Sequence, residues 1–276
     1  MTTDKYALGY SEEWLELMER RSASLEAGHV VNFVKPDSRI LDVGCGPGSI
    51  TIDLAELVSD GHVTGLDISD GQFERARALA KERGLENVTF QMGDAYELPF
   101  EDESFDIVCS NTLLMHLSDP ARGIAEMKRV LKPGGYICAR DPHFSARDIY
   151  GSTPCPVEDG VHKTNLAFLR VNEQDGSDWD AGIKLRGRLK AAGFLNVESG
   201  QSSNVNGNDD AWDVVRKTPA ILRERLTRDL WMRSVELGVM TSEEVKAMYD
   251  WVLGLNNDPA AWSVMPFIWA TGRKPG

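Results

Sequence analysis

The chain has 276 residues, of which 42% are hydrophobic and 26% charged, and its 43 acidic residues against 30 Lys and Arg give a formal net charge of −13. This length can bury a sizeable core as one large domain. An acidic surface repels phosphate backbones and anionic lipid, so the composition disfavours nucleic-acid modification and predicts no nucleic-acid partner.

Targeting and metal-binding patterns are not evident in the sequence. Residues 1–10 contain no apolar signal region and no run approaches membrane-spanning length, so we expect a cytoplasmic protein without a membrane span. The four cysteines lack C-x-x-C or Cys/His ligand spacing; they are Cys45, Cys109, Cys138 and Cys155. They predict reduced thiols, mostly in the core, and no metal site.

The first half of the chain alternates short apolar runs with helical patterns. In order, the patterns predict a helix over 11–34, a strand over 39–43, a helix over 49–58, a strand over 62–67, a helix over 70–83, strands over 88–92 and 105–110, a helix over 120–131 and a strand over 136–140. Ser69 and Gln72 have capping-box spacing, while Asp119 can cap the helix that starts at Pro120. This alternation is typical of βαβ units in a parallel sheet with helices on both faces.

After Asp141 the alternation stops. Residues 142–178 predict a long irregular connection with one helix around 164–170, followed by a helix over 181–192, a strand over 194–199, helical patterns over 209–255 and a final strand over 263–271. Thr241 and Glu244 have capping-box spacing. We predict an α/β fold, a doubly wound Rossmann-like sheet of seven mostly parallel strands with an N-terminal helix and a helical insertion before the last strand.

We expect one domain over 1–276. Its predicted parts are an N-terminal helical cap over 1–35, a ligand-binding core over 36–141, a connection with a helix and a strand over 142–207, a helical lid over 208–260 and the last strand over 261–276. Long inserted segments of this kind often form lids and substrate loops.

A glycine-rich loop follows the first predicted strand, in the sequence LDVGCGPG over residues 41–48. A dinucleotide fingerprint has the spacing G-x-G-x-x-G. Here the spacing is G-x-G-x-G, and Asp42 stands two residues before the first glycine, an arrangement that suits an adenosine ligand without a pyrophosphate. Glycines let the backbone adopt positive φ and approach a ligand closely.

Polar residues also follow the other predicted strands. Asp67 ends the second strand, where a carboxylate can accept both ribose hydroxyls, and the segment 93–95 ends the third. Asn111 and Asp141 end the next two. Ligands of open parallel sheets bind outside the carboxyl ends of the strands. Each residue alone is also compatible with a turn or a helix cap, so the prediction depends on their shared order.

Together these segments resemble the class I S-adenosylmethionine (SAM) methyltransferases. The resemblance rests on LDVGCGPG, GLDIS, GDAYELPF, FDIVCSN followed by LLMHLSDP, and LKPGGY. It covers residues 39–141 closely and the rest more loosely, and it is strongest to the ubiquinone/menaquinone-type branch. It implies a transferase with SAM as cofactor, S-adenosylhomocysteine as product and a small-molecule substrate.

The resemblance also implies which residues contact SAM. These are Gly44, Cys45 and Gly46 at the methionine part, Asp67 and Gln72 at the ribose and nucleoside, Ile68 at the adenine face, Gly93, Asp94 and Ala95 at the adenine edge, Asn111 at the amino group, and His116 in the pocket wall.

The N-terminal segment gives a second indication. Arg20-Arg21-Ser22-Ala23 resembles the Arg-Thr-Ala sequence of glycine-type N-methyltransferases, in which the arginine binds the SAM carboxylate. A planar guanidinium matches a carboxylate with two hydrogen bonds. Arg21 is therefore a candidate, the alternative being a solvated arginine on a helix face. Tyr10 could close over the methionine end, the alternative being ordinary packing.

Methyl transfer from a sulfonium needs mainly alignment of the reactants, and a general base only for a protonated acceptor. His143, two residues after Asp141, is the candidate base, and a loop histidine without a chemical role is the alternative. Two other functions stay open at this point: a SAM-binding catalyst of rearrangement or cyclisation, and an NAD-type oxidoreductase. A monomer and a homodimer are both compatible with the sequence.

Overall fold

The computed structural model describes residues 18–19, 21–174, 176–206, 233–255 and 258–276. The chain divides into two compact units. The first comprises Met1–Asp141, Ala181–Gln201 and Ile268–Gly276, and the second comprises Pro142–Asp180 and Ser202–Phe267.

Helices and strands alternate along the described part of the chain. In order they are α1 (Ala23–Glu26), α2 (Gly28–Val31), β1 (Arg39–Val43), α3 (Ser49–Leu57), β2 (His62–Asp67), α4 (Phe73–Glu82), β3 (Val88–Met92), β4 (Phe105–Asn111), α5 (Pro120–Val130), β5 (Leu131–Pro142), β6 (Asp148–Tyr150), α6 (Gly160–Gln174), α7 (Ala181–Ala191), β7 (Leu195–Asn206), α8 (Ser242–Leu255) and β8 (Trp262–Arg273). Short 3-10 helices cover Leu114–His116 and Phe144–Ala146.

The strands form a mixed sheet in the order β3-β2-β1-β4-β5-β8-β6, and β7 also pairs with β8. The pairs β1–β2, β1–β4, β2–β3 and β4–β5 are parallel, whereas β6 pairs antiparallel with β8. The predicted α/β fold with a mostly parallel sheet is therefore confirmed, with the short strand β6 as an addition.

The sheet of the first unit is covered on both faces. Successive strand residues point to opposite sides, so Ile40 joins one apolar cluster with Leu54 of α3 while Leu41 joins another with Ile124 and Met127 of α5. All of these side chains are fully buried. Strands buried on both faces appear in the sequence as continuous apolar runs, which explains why β1 and β4 were easy to predict.

The predicted continuous helix over 11–34 is wrong in its described part. Ser22 is extended, with φ −138° and ψ 154°, and two four-residue helices follow it. The Asp53 carboxylate accepts a hydrogen bond of 2.8 Å from the Ala23 N–H, so a new helix begins there. The sequence alone does not show that an acid 30 residues away supplies the cap.

Two of the three helix starts with a predicted capping residue are confirmed, and one is wrong. Asp119 accepts from the Arg122 N–H at 3.1 Å with Pro120 at the first helical position, and Thr241 and Glu244 form the reciprocal capping box at 3.2 and 2.9 Å. The capping box predicted at Ser69 is wrong, because α4 begins at Phe73 and the side chain of Gln72 makes no cap.

The second unit contains more regular structure than the predicted connection over 142–178. Helix α6 is longer than predicted, and β6 pairs with residues 262–264 of β8. Helix α8 lies inside the predicted helical insertion and packs Met248 against Val157 and Met240. Residues 207–232 of that insertion lie outside the described residues.

Candidate functional site

The glycine loop after β1 is folded tightly against the end of β2. Gly44 and Cys45 donate backbone hydrogen bonds of 2.7 and 3.0 Å to the Leu66 carbonyl, and φ is +76° at Gly44 and +54° at Gly46. A Cβ on Gly44 would lie 2.9 Å from Leu113 Cδ1. Positive φ and close packing together explain the requirement for glycine.

Asp67 is placed where the strand order predicts an acid. Its Oδ2 accepts a hydrogen bond of 2.9 Å from the Gly46 N–H, and its Oδ1 accepts one of 3.2 Å from Ser69. The side chain is largely buried, whereas the next residue, Ile68, is 45% exposed. The structure thus brings the predicted ribose ligand and the predicted methionine loop into direct contact.

The segment after β3 lies beside the same edge. Gly93 donates to the Asp67 carbonyl at 2.9 Å, and a Cβ there would lie 2.6 Å from Leu66 Cδ1. Asp94 accepts from the Tyr96 N–H at 2.8 Å, so its carboxylate closes the turn, and Ala95 is buried.

Gln72 is fully buried, and neither atom of its amide has a hydrogen-bond partner among the described residues. Nearly all buried side-chain polar atoms in proteins have a partner, so an orphaned amide calls for an explanation. Gln72 immediately precedes α4, close in sequence to Asp67, where the prediction placed the nucleoside.

Arg21 belongs to a buried ion network. Its Nε donates to Glu26 Oε2 at 2.6 Å, and its Nη2 donates to Asn111 Oδ1 at 2.6 Å and to Thr112 Oγ1 at 3.1 Å. Its side chain is 21% exposed, so the alternative of a solvated helix-face arginine is wrong. Nη1 of Arg21 makes no hydrogen bond to any described residue.

Sequence reasoning missed two members of this network, Glu26 and Arg140. Arg140, which is fully buried, donates from Nη1 to Glu26 Oε2 and to Asn111 Oδ1, both at 3.1 Å. Two guanidinium groups therefore share the Glu26 carboxylate. The sequence did contain a signal for Arg140, because it ends the apolar run Tyr136–Arg140. An arginine in a buried strand indicates a partner, since arginine is almost never fully buried without one.

Asp42 is buried below the glycine loop. Burial raises its pKa to about 6, although the Thr51 hydroxyl donates a hydrogen bond of 2.7 Å to its carboxylate. The positive charge of Arg21 acts in the same direction as Thr51 and lowers the pKa. A carboxylate so tuned changes its charge near neutral pH.

His116 ends the 3-10 helix after β4. Burial lowers its pKa to about 4, so the imidazole is neutral at physiological pH. The preceding Met115 N–H donates to Asp141 Oδ1 at 3.1 Å, which ties this helix to the end of β5. His116 is therefore held beside the strand ends as an uncharged group.

Comparison with known proteins identifies the family. A methyltransferase domain model matches residues 34–174. An uncharacterized methyltransferase of Schizosaccharomyces pombe is 34% identical over 75% of this chain and 72% of its own length, and a demethylmenaquinone methyltransferase of Lactococcus lactis is 35% identical over 58% and 66%. The chain belongs to the methyltransferase family.

A solved structure supports the fold. The phosphoethanolamine N-methyltransferase 2 of Haemonchus contortus, in complex with S-adenosylhomocysteine, matches 90% of this chain and 52% of its own with a TM-score of 0.54 and 20% sequence identity. The predicted resemblance to class I SAM methyltransferases is confirmed, and SAM is the cofactor of this methyltransferase.

The described residues of the first unit fit SAM. The glycine loop has no room for a Cβ at its first position, the Asp67 carboxylate contacts this loop at the end of β2, and the orphaned Gln72 amide can pair with a polar ligand. The Arg21 guanidinium suits a carboxylate, because its Nη1 makes no hydrogen bond to any described residue.

Two predicted site residues lie outside the described residues of the first unit. Tyr10 lies outside the described residues. His143 belongs to the second unit, where its N–H donates to the Pro266 carbonyl at 2.9 Å, and its imidazole makes no hydrogen bond to a described residue.

Within the described residues, no helix is long and apolar enough to cross a membrane. The same part of the chain has no group of three His, Cys, Asp or Glu side chains that could hold a metal ion.

Proposed function

We propose that this methyltransferase transfers the SAM methyl group to an O, N, C or S nucleophile of a small organic molecule in the cytoplasm. The observation that carries the proposal is the contact between Asp67 and the Gly46 N–H, which joins the glycine loop after β1 to the acid at the end of β2. The acidic net charge of −13 supports a small molecule over a nucleic acid. Demethylmenaquinone methyltransferase among the relatives also favours a small organic acceptor.

In this proposal each end of SAM has its own ligands. The Asp67 carboxylate accepts hydrogen bonds from the ribose hydroxyls, with Gln72 nearby. The Arg21 Nη1 donates a hydrogen bond to the carboxylate of SAM. The side-chain oxygen of Asn111 already accepts from two arginines, at 2.6 and 3.1 Å, so we assign its backbone oxygen to the amino group. Two lone pairs limit what one amide oxygen can accept.

Bound SAM supplies a methyl group on a positively charged sulfur that is already activated for displacement. The protein residues bind and orient, and good alignment alone contributes up to about 7–11 kcal/mol. A base is needed only when the acceptor arrives protonated, and His143 is proposed for that role. An unchanged pH–rate profile in His143→Ala would refute the assignment of His143 as the base.

The test is calorimetric titration of the full chain with SAM, S-adenosylhomocysteine and NAD. We expect the first two to bind and NAD not to bind, and Asp67→Asn should weaken S-adenosylhomocysteine binding at least about tenfold by loss of charge-assisted hydrogen bonds to the ribose. Asp70→Asn is the matched control, because Asp70 is exposed three residues away. Equal affinities of wild type and Asp67→Asn would refute the ribose assignment.

Turnover separates methyl transfer from the alternative of a non-methylating catalyst. Incubation with SAM and a panel of phenols, amines, thiols and carboxylates should release S-adenosylhomocysteine in step with a product 14 mass units heavier. Product of unchanged mass without S-adenosylhomocysteine would favour rearrangement or cyclisation.

A further inference from the structure

Three aromatic rings form a cluster in the second unit, which the proposed function does not use. Phe144 stacks on Phe168 with centroids 4.0 Å apart and an interplanar angle of 15°. Trp179 meets both rings edge-on, at 5.6 and 4.8 Å. Phe168 and Trp179 are only partly buried, so the cluster reaches the surface of the unit.

A half-buried arginine lies against this cluster. The Arg147 guanidinium is 5.6 Å from the centroid of Phe144. Its hydrogen bond to Asn165 Oδ1 is long, at 3.5 Å, whereas Asn165 Nδ2 holds the Arg147 carbonyl at 2.7 Å. The fully buried amide thus fixes the backbone of Arg147 and leaves the guanidinium poorly bonded.

This guanidinium has no counter-ion among the described residues. No carboxylate of a described residue lies within 4.0 Å of it. The adjacent Asp148 directs its oxygens elsewhere, to the Tyr150 hydroxyl at 2.6 Å and the Ile149 N–H at 2.9 Å. Burial lowers the pKa of Arg147 to about 10, with Asp148 opposing the shift.

Such an arrangement is costly without a ligand. A desolvated cation is normally paired, as the fully buried Arg140 is with Glu26 at 3.1 Å. The Trp179 Nε1–H is also buried and has no acceptor among the described residues. An unmade hydrogen bond of this kind costs about 1–3 kcal/mol. Both donors adjoin the same ring, Phe144.

We propose that Arg147, Phe144 and Trp179 form a binding site for a planar aromatic carboxylate. The guanidinium fork matches a carboxylate with two hydrogen bonds, and the partly buried rings of Phe168 and Trp179 offer contacts to an aromatic body. Identification of this ligand as the methyl acceptor rests on the proposed function, whereas its binding does not.

The test is calorimetric titration of the full chain with 2-naphthoate, its neutral amide 2-naphthamide, and acetate. Naphthoate should bind, the amide at least about tenfold more weakly because it lacks the charge-assisted hydrogen bonds, and acetate more weakly because it lacks the rings. Arg147→Met should remove the preference for acid over amide. Arg170→Met is the matched control, since it removes the same charge from an exposed position on α6.

Thermal unfolding distinguishes a binding role from a structural one. Arg147→Met removes an unpaired desolvated charge, so its melting temperature should equal or exceed that of wild type. A lower melting temperature would assign Arg147 to structure and overturn the proposal. So would equal naphthoate binding by wild type and Arg147→Met, equal binding of acid and amide, or no naphthoate binding at millimolar concentration.

Parallel titration with S-adenosylhomocysteine keeps the two proposals separate. Arg147→Met should retain wild-type affinity for it. If wild type binds naphthoate but not S-adenosylhomocysteine, the proposed function fails and the carboxylate site stands.

Discussion

Replacing Glu26 by Gln tests whether one carboxylate stabilises two buried arginines. Its Oε2 accepts from Arg21 Nε at 2.6 Å and from Arg140 Nη1 at 3.1 Å, and Arg140 is fully buried. Gln keeps the size of the side chain but removes the charge. Removing one partner of a buried ion pair costs about 3–5 kcal/mol. We expect about 3 kcal/mol, because Asn111 Oδ1 still accepts from both arginines.

The assay is urea unfolding of the wild type, Glu26→Gln, Arg140→Met and the double variant, analysed as a cycle. The double variant should lose about 2 kcal/mol less unfolding free energy than the sum of the two single losses, since it leaves no uncompensated charge in the Glu26–Arg140 pair. Glu86→Gln, an exposed substitution, is the control and should stay within about 0.5 kcal/mol. A loss below about 1 kcal/mol for Glu26→Gln, with additive effects in the cycle, would refute the network.

Two further predictions concern stability. Burial lowers the pKa of His29 to about 3, so the folded state binds fewer protons than the unfolded state and stability is lost as the pH falls below 6.5. His29→Phe should reduce the loss of unfolding free energy between pH 7 and pH 5 by about 2 kcal/mol in urea unfolding, and an unchanged loss would contradict this. Gly48 has φ +79°, and a Cβ there would lie 2.5 Å from the Phe90 ring. Gly48→Ala should therefore lower the free energy of unfolding by about 2–4 kcal/mol. Gly84→Ala, at φ +71° with open space, should cost about 1 kcal/mol, and equal losses in thermal unfolding would exclude the clash.

Local patterns predicted the sheet well. Strands β1, β2 and β3 have the predicted bounds because each is a short apolar run bounded by turn residues. The contact between Asp67 and the glycine loop also follows from the sequence, since parallel strands place their carboxyl ends at one edge.

Long-range pairs could not be predicted in the same way. Arg21 meets Asn111 across 90 positions and Arg140 meets Glu26 across 114, so neither spacing leaves a periodic signal. The N-terminal segment breaks at Ser22 because of such tertiary contacts, which override its helical pattern.

Three groups in or near the segments with a proposed ligand fit poorly in the fold. Burial raises the pKa of Asp42 to about 6, the Gln72 amide has no partner among the described residues, and Arg147 has no counter-ion there. Each of these costs stability in the folded chain, and a ligand of complementary charge or hydrogen bonding would relieve the cost at Gln72 and Arg147. Proteins retain such costs where function requires them, so stabilising substitutions at these positions should reduce binding. Asp42→Asn fits this argument, because it removes a desolvated charge while its side-chain oxygen can still accept from Thr51.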